Sequence, residues 1–141
     1  MKKIFFLCII LSSTTILSQF KITGYFNAEI GLTYKFSKNI QSELRISDNL
    51  GMEFNTELSL LYTLLAKDNY NMNLGTGIST FPFHSKNIDF IESYFIPAQI
   101  EITPFKEVRN FGFLFETSYH FSDIENSSGV RNSIGIRYIF N

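Results

Sequence analysis

The chain has 141 residues, room for one domain, of which 45% are hydrophobic and 16% aromatic. Twelve Lys+Arg stand against thirteen Asp+Glu, which excludes the strongly basic surface a nucleic-acid partner requires. A single cysteine, Cys8, excludes a disulfide framework.

At the N terminus Lys2 and Lys3 precede an unbroken apolar run, Ile4 to Leu11, and a more polar stretch, Ser12 to Ser18. That order is the layout of a secretory signal peptide, too short to span a bilayer as a helix. Cleavage is expected between Ser18 and Gln19, with residues 1–18 the signal and 19–141 the mature domain. Cys8 follows Phe6 and Leu7, not the small residues of a lipidation site, so the mature chain carries no thiol. From Gln19 onward ten Lys+Arg oppose thirteen Asp+Glu, a charge near minus three. No later stretch approaches the ~18 consecutive apolar residues of a membrane helix, so any insertion into a bilayer is by strands.

After a lead-in from Gln19 to Thr23, strict alternation predicts a strand over Gly24 to Phe36. Phe26, Ala28, Ile30, Leu32, Tyr34 and Phe36 share one face, and Asn27, Glu29, Gly31, Thr33 and Lys35 the other. Ser37-Lys38-Asn39 is a turn, and Ile40 to Ser47 alternates again, Ile40, Leu44 and Ile46 against Gln41, Glu43 and Arg45. Asp48 to Gly51 has turn chemistry. A third strand is expected over Met52 to Leu65, with Leu61 and Leu65 blurring its pattern, and a fourth over Met72 to Phe81 with Gly75 and Gly77 on its polar face. Pro82 to Glu92 is the longest irregular segment. Ser93 to Thr103 alternates, but Pro97 cannot donate to a ladder and predicts a bulge or a later start. Phe111 to Phe121 has its apolar set on odd numbers, with Leu114 the exception, and Ser122 to Ser128 is a polar loop. A last strand runs from Gly129 to Asn141.

Seven strands read clearly, whereas a closed bacterial barrel normally has an even number. Eight strands of ~10 residues with their connections use up the mature chain. The eighth is expected either in Phe83 to Ile91, or in Gln19 to Thr23 extended at the expense of the first long strand.

In the last strand Val130, Ile134, Ile136, Tyr138 and Phe140 alternate with Arg131, Ser133, Gly135 and Arg137. Ser133, Gly135, Tyr138 and Phe140 resemble the C-terminal assembly signal of bacterial outer-membrane β-barrel proteins, departing from it in that Asn141 follows the final aromatic. The resemblance implies an all-β fold, an antiparallel up-and-down transmembrane β-barrel in the cell outer membrane. It also implies outer-membrane lipid and the barrel assembly machinery as partners, and it implies no cofactor.

Which face turns inward separates this fold from a secreted, lipocalin-like barrel around an apolar ligand. Twelve aromatics inside, among them Phe26, Phe54, Phe113 and Tyr138, would overfill a narrow eight-stranded lumen. With the polar set inside, Glu29, Glu43, Glu53, Glu57, Glu101 and Glu116 can pair with Lys35, Arg45, Arg131 and Arg137, as buried charges require. The expected lumen is therefore a charged plug. Partner contact is expected at the exposed loops, Pro82 to Glu92 and Ser122 to Ser128.

His120-Phe121-Ser122-Asp123 also resembles the His-x-Ser-Asn stretch of the outer-membrane lipid A deacylases, eight-stranded barrels with a Ser-His-Glu triad, over four residues and with a departure at Asp123. That family's acid lies about a dozen residues beyond the serine, where this chain has Ile134, and Glu125 is too close to the serine to replace it. A lumen hydrogen bond on the face shared with Glu116 accounts for His120, and the expectation is a non-enzymatic protein with no catalytic residues. His84 and His120, far apart and without cysteines, predict no metal site. Gly75-x-Gly77 lacks the helix and lysine of a nucleotide loop.

Overall fold

The computed structural model describes residues 20–48, 54–80, 91–105, 107–122 and 127–140. They form eight strands: β1 (Phe20–Tyr25), β2 (Glu29–Lys35), β3 (Ile40–Asp48), β4 (Phe54–Ala66), β5 (Tyr70–Thr80), β6 (Ser93–Ile102), β7 (Phe111–Ser122) and β8 (Ser127–Ile139). Each strand pairs antiparallel with the next, and β8 closes on β1, giving an all-β, up-and-down closed barrel. The expected signal segment, Glu53 and the loop core 81–90 lie outside the described residues.

The predicted strand over Gly24 to Phe36 is two strands. The chain turns at Phe26-Asn27-Ala28, so β1 takes up the lead-in segment, and this is the eighth strand. A three-residue turn preserves the parity of the side chains. Lys21, Thr23 and Tyr25 point inward before it, and Glu29, Gly31 and Thr33 point inward after it. Alternation therefore runs through the hairpin unbroken, and a reading by periodicity sees one long strand. The turn closes with Ala28 at φ 60°, a left-handed conformation ordinarily taken by glycine in three-residue hairpin loops.

Two other irregularities have local causes. Between Thr63 and Leu65 the β4–β5 register shifts, a bulge that turns both Leu64 and Leu65 outward, whereas Leu61 points inward and is fully buried. Pro97 causes neither the predicted bulge nor a later start. The β5–β6 ladder instead skips Gly75 and Thr76 opposite Ile96 and Pro97 and resumes in the same register, so the missing N–H faces a place where no bond is made.

Followed strand to strand around the barrel, the register re-enters β1 displaced along the chain, the stagger that tilts strands in a closed barrel. Both described ends of the chain, and the turns between β2 and β3 and between β4 and β5, lie at one rim, the terminal rim. The connections β3–β4, β5–β6 and β7–β8 lie at the other, the loop rim.

Large apolar side chains point outward from every strand, including Ile22, Leu32, Leu44, Leu58, Leu74, Ile96, Phe115 and Ile134. Aromatics gather at both rims. At the terminal rim Phe20 and Tyr34 rings lie 5.0 Å apart, Tyr34 and Phe36 4.8 Å, and Tyr138 and Phe140 5.1 Å. At the loop rim Tyr119 and Phe121 lie 4.6 Å apart. Inward-pointing groups are mostly polar. Among the described residues the large buried apolar exceptions are Tyr25, Leu61, Phe95, Pro97 and Leu114.

Ala28→Gly is expected to raise stability by up to about 1 kcal/mol by relieving the left-handed alanine, and Ala28→Val to lower it. The midpoint of urea unfolding reads both.

Candidate functional site

Inside the barrel, charged side chains form one connected set from rim to rim. Nearest the terminal rim, Lys21 Nζ donates to both oxygens of Glu101 at 3.0 and 2.9 Å. Arg137 lies next and is completely buried. Its Nη1 donates to Glu101 at 2.6 Å, its Nη2 to Glu43 at 2.5 Å, and its Nε to Thr23 Oγ1 at 2.7 Å. Arg45 holds the middle. Its Nη2 donates to Glu43 at 2.8 Å and to Glu116 at 2.6 Å, and its guanidinium carbon lies 4.1 Å from the centre of the Tyr25 ring. The Tyr25 hydroxyl donates to Glu43 at 2.5 Å and accepts from Arg45 at 2.7 Å. Above them Arg131 grips Glu57 with both terminal nitrogens, at 2.6 and 2.7 Å, the two-pronged geometry that a guanidinium offers a carboxylate. Glu29 bridges the two upper levels, 3.6 Å from Arg45 and 3.7 Å from Arg131.

Registers explain the meeting of residues far apart in sequence. Glu57 lies directly opposite Arg45 across β3–β4, so the sheet itself delivers that pair. Arg137 reaches Glu43 and Glu101 across the lumen from a strand paired with neither, which only closure permits. Gly135, one step along the same face, leaves space for the neighbouring strand β1. A Cβ there would lie 2.9 Å from the Gly24 carbonyl oxygen and 2.9 Å from Thr23 Cγ2.

Of the ten residues expected in the lumen network, Glu29, Glu43, Arg45, Glu57, Glu101, Glu116, Arg131 and Arg137 are brought together. Lys35, half-buried at the terminal rim, makes no ion pair among the described residues, and Glu53 lies outside them. Sequence reasoning missed Lys21, which lay in the lead-in, and Tyr25, which lay in the predicted strand Gly24 to Phe36 but was placed on neither face. Their parity with Thr23 and Glu29 was the available signal. The set as found contains four cations and five carboxylates. Of the expected assembly-signal residues, Ser133 and Gly135 point inward, Tyr138 points outward, and Phe140 lies just past β8 against Tyr138.

A cavity of about 300 Å³ opens at the loop rim, lined among others by Glu57, Ser79, His120, Ser122 and Arg131. His120 Nε2 lies 3.0 Å from Ser118 Oγ, and its ring stacks on Phe95 with centroids 4.9 Å apart. Its hydrogen-bond partner is thus Ser118, two residues along the same strand face, not Glu116. Ser122 Oγ donates to the Glu92 carbonyl oxygen at 3.3 Å. Ile134 points outward, and Asp123 and Glu125 lie outside the described residues. Phe95 occupies the lumen because Gly77 faces it, and a Cβ on Gly77 would lie 2.3 Å from the phenyl ring. Among the described residues no group of three His, Cys, Asp or Glu side chains is placed to hold a metal ion.

Fold and site together define a closed eight-stranded β-barrel with an ion-paired lumen. No protein-family model matches the chain, and no curated protein aligns with it significantly.

Removing one partner strands the others. Arg137→Met leaves Glu43 and Glu101 short of a cation and is expected to cost ~3–5 kcal/mol in urea unfolding. The double variant Arg137→Met, Glu101→Gln is expected to cost less than the sum of the two single changes.

Proposed function

We propose that this protein is a non-enzymatic outer-membrane β-barrel, structural or surface-interacting through its loop-rim connections. Its outward face would contact outer-membrane lipid, and the barrel assembly machinery would insert it. One observation carries the reading: the polarity of the barrel is inside out. Buried charges fill the lumen, and large apolar side chains cover the outside of all eight strands. In water such a continuous apolar surface is a liability, whereas against lipid chains it is the required solvent-facing surface. The aromatic pairs at both rims fit the girdles of a membrane–water boundary. From Val130 to Tyr138, at ~3.3 Å per residue and a tilt near ~40°, the band on β8 is roughly 20 Å tall, close to the ~25 Å of such barrels. A lipocalin-like carrier would instead have to seat an apolar ligand among ion pairs, which desolvation opposes.

The charged network is read as a plug and not as a pathway, because every level of it is crossed by a short ion pair. His120 and Ser122 are read as rim residues without a catalytic role, since each is engaged with a different partner.

Isolated outer membranes should contain the protein, and it should migrate differently on a denaturing gel before and after boiling. Recovery from the periplasm or medium with heat-independent mobility would overturn the reading. Leu44→Arg, in the middle of the outward band, is expected to cost ~2–4 kcal/mol of membrane stability, read as loss of the heat-shifted form. His120→Ala is expected to leave the acylation pattern of lipid A unchanged when compared by mass spectrometry.

A further inference from the structure

The barrel wall is not equally tall around its circumference. Strands β7 and β8 stay paired as far as Ser122 and Ser127, but the β1–β8 ladder stops at Tyr25 opposite Gly135. One more bond, from Phe26 N–H to the Ile134 carbonyl, closes it, and the chain then turns back at Phe26-Asn27-Ala28. Toward the loop rim, β8 therefore has β7 on one side and an open edge on the other. A notch two strands wide separates that edge from the end of β3.

The bond from Phe26 to Ile134, with that from Phe140 N–H to the Phe20 carbonyl, shows which β8 residues aim their backbone at β1. They are the even-numbered ones, since neighbours in a strand direct their N–H and C=O groups to opposite sides. Ser128, Val130 and Asn132 thus point N–H and C=O groups into the notch. All three are exposed, and no described residue pairs with them there. Gly129, Arg131 and Ser133 point the other way, into the ladder with β7.

Two further observations point to an occupant. Val130 faces outward, yet it lines the same cavity as the inward Glu57 and Arg131, so the cavity reaches around the open edge of β8. The apolar side chains flanking the notch are also unusually bare: Phe26 is 75% exposed, Ile30 65% and Val130 63%. At the floor of the notch Glu29, the first residue of β2, is buried, its two oxygens 3.6 Å from Arg45 and 3.7 Å from Arg131. It belongs to a lumen set in which five carboxylates meet four cations.

We propose that the open edge of β8, Ser128 to Asn132, is a docking site for an extended strand of a partner polypeptide, added antiparallel to β8. Backbone bonds to Ser128, Val130 and Asn132 would hold it, as in other strand-addition complexes. Alternate side chains of the added strand would point into the cavity, where the lumen set's excess of one carboxylate over its cations favours a lysine or arginine. Those between would point outward beside Val130 and Ile30, and an apolar residue suits that position. The ligand is thus an extended segment alternating basic or polar with apolar residues. The inference rests on the registers of the closed barrel and not on the lipid reading.

Hydrogen exchange of individual amides, followed by NMR on the mature chain in detergent micelles, tests it. The probe is a synthetic eight-residue peptide alternating valine with lysine and threonine. In the free protein the amides of Ser128, Val130 and Asn132 should exchange fast while those of Gly129, Arg131 and Ser133 are protected. Peptide should slow the first three by at least about tenfold and leave the others unchanged. A peptide N-methylated at alternate backbone positions should give no slowing, and one with glutamate for lysine should bind more weakly. Val130→Pro removes an N–H that only the notch faces, and Gly129 before it has no Cβ to oppose the ring, so the barrel should form and fail to respond.

Edge amides already protected without peptide, in micelles or in phospholipid nanodiscs, would show the edge covered by lipid or by the chain itself and would overturn the proposal. So would a wild-type protein that responds to neither lysine peptide nor glutamate peptide, or equally to the N-methylated one. If Val130→Pro does not fold, the N-methylated peptide on the wild-type protein still decides.

Discussion

Everything in this barrel depends on mutual neutralisation of the charges sealed in its lumen. A carboxylate or guanidinium removed from water loses several kcal/mol of hydration unless close partners offset it. Here Arg45 and Arg137 are nearly or wholly buried, and each is answered by carboxylates at 2.5 to 2.9 Å. Arg45 with Glu116, and Arg137 with Glu43 and Glu101, join strands that the backbone ladder does not pair, whereas Arg45 and Glu43 share β3. The network therefore does across the lumen what an apolar core does in a water-soluble barrel, and it releases the apolar side chains to the outside.

That inversion also accounts for the placement of the few apolar groups inside. Phe95 enters the lumen where Gly77, its register partner on the neighbouring strand β5, has no side chain, and it stacks on His120 between the charged levels and the cavity at the loop rim. Tyr25 earns its inward place through both ends of its side chain. Its ring lies against the Arg45 guanidinium and its hydroxyl joins Glu43 to Arg45. Such residues act as spacers in a polar interior. The short β1–β2 hairpin has the opposite effect on the wall, lowering it beside the tall β7–β8 hairpin and leaving a backbone edge open.

Much of the strand pattern was legible from alternation. The spans of β3, β6 and β7 agree with their expected boundaries to within one residue, because one face of each is mostly apolar along its length and turn residues bound it. Inward placement of Glu43, Arg45, Glu101, Glu116, Arg131 and Arg137 was legible for the same reason. The β1–β2 turn was not, since an odd-length turn leaves side-chain parity intact and carries no glycine or proline. Lys21 was lost with it, in a lead-in given no face, and Tyr25 was passed over inside the predicted strand. Pro97 was legible as an obstacle, but its resolution by a local gap in one ladder depends on which neighbour its nitrogen faces.

Sequence alone determined which side chains share a face, because period-two geometry is a property of the single strand. It thereby determined that a polar face and an apolar face exist, and that charges of both signs lie on the first. Tertiary structure decided which charges meet. Arg137 and Glu43 are 94 positions apart, and their contact follows from closure and the stagger of eight registers. The same closure decided where the wall stops, since the height at which β8 loses its neighbour is set by the β1–β8 register, a relation between the two ends of the chain that no local pattern encodes.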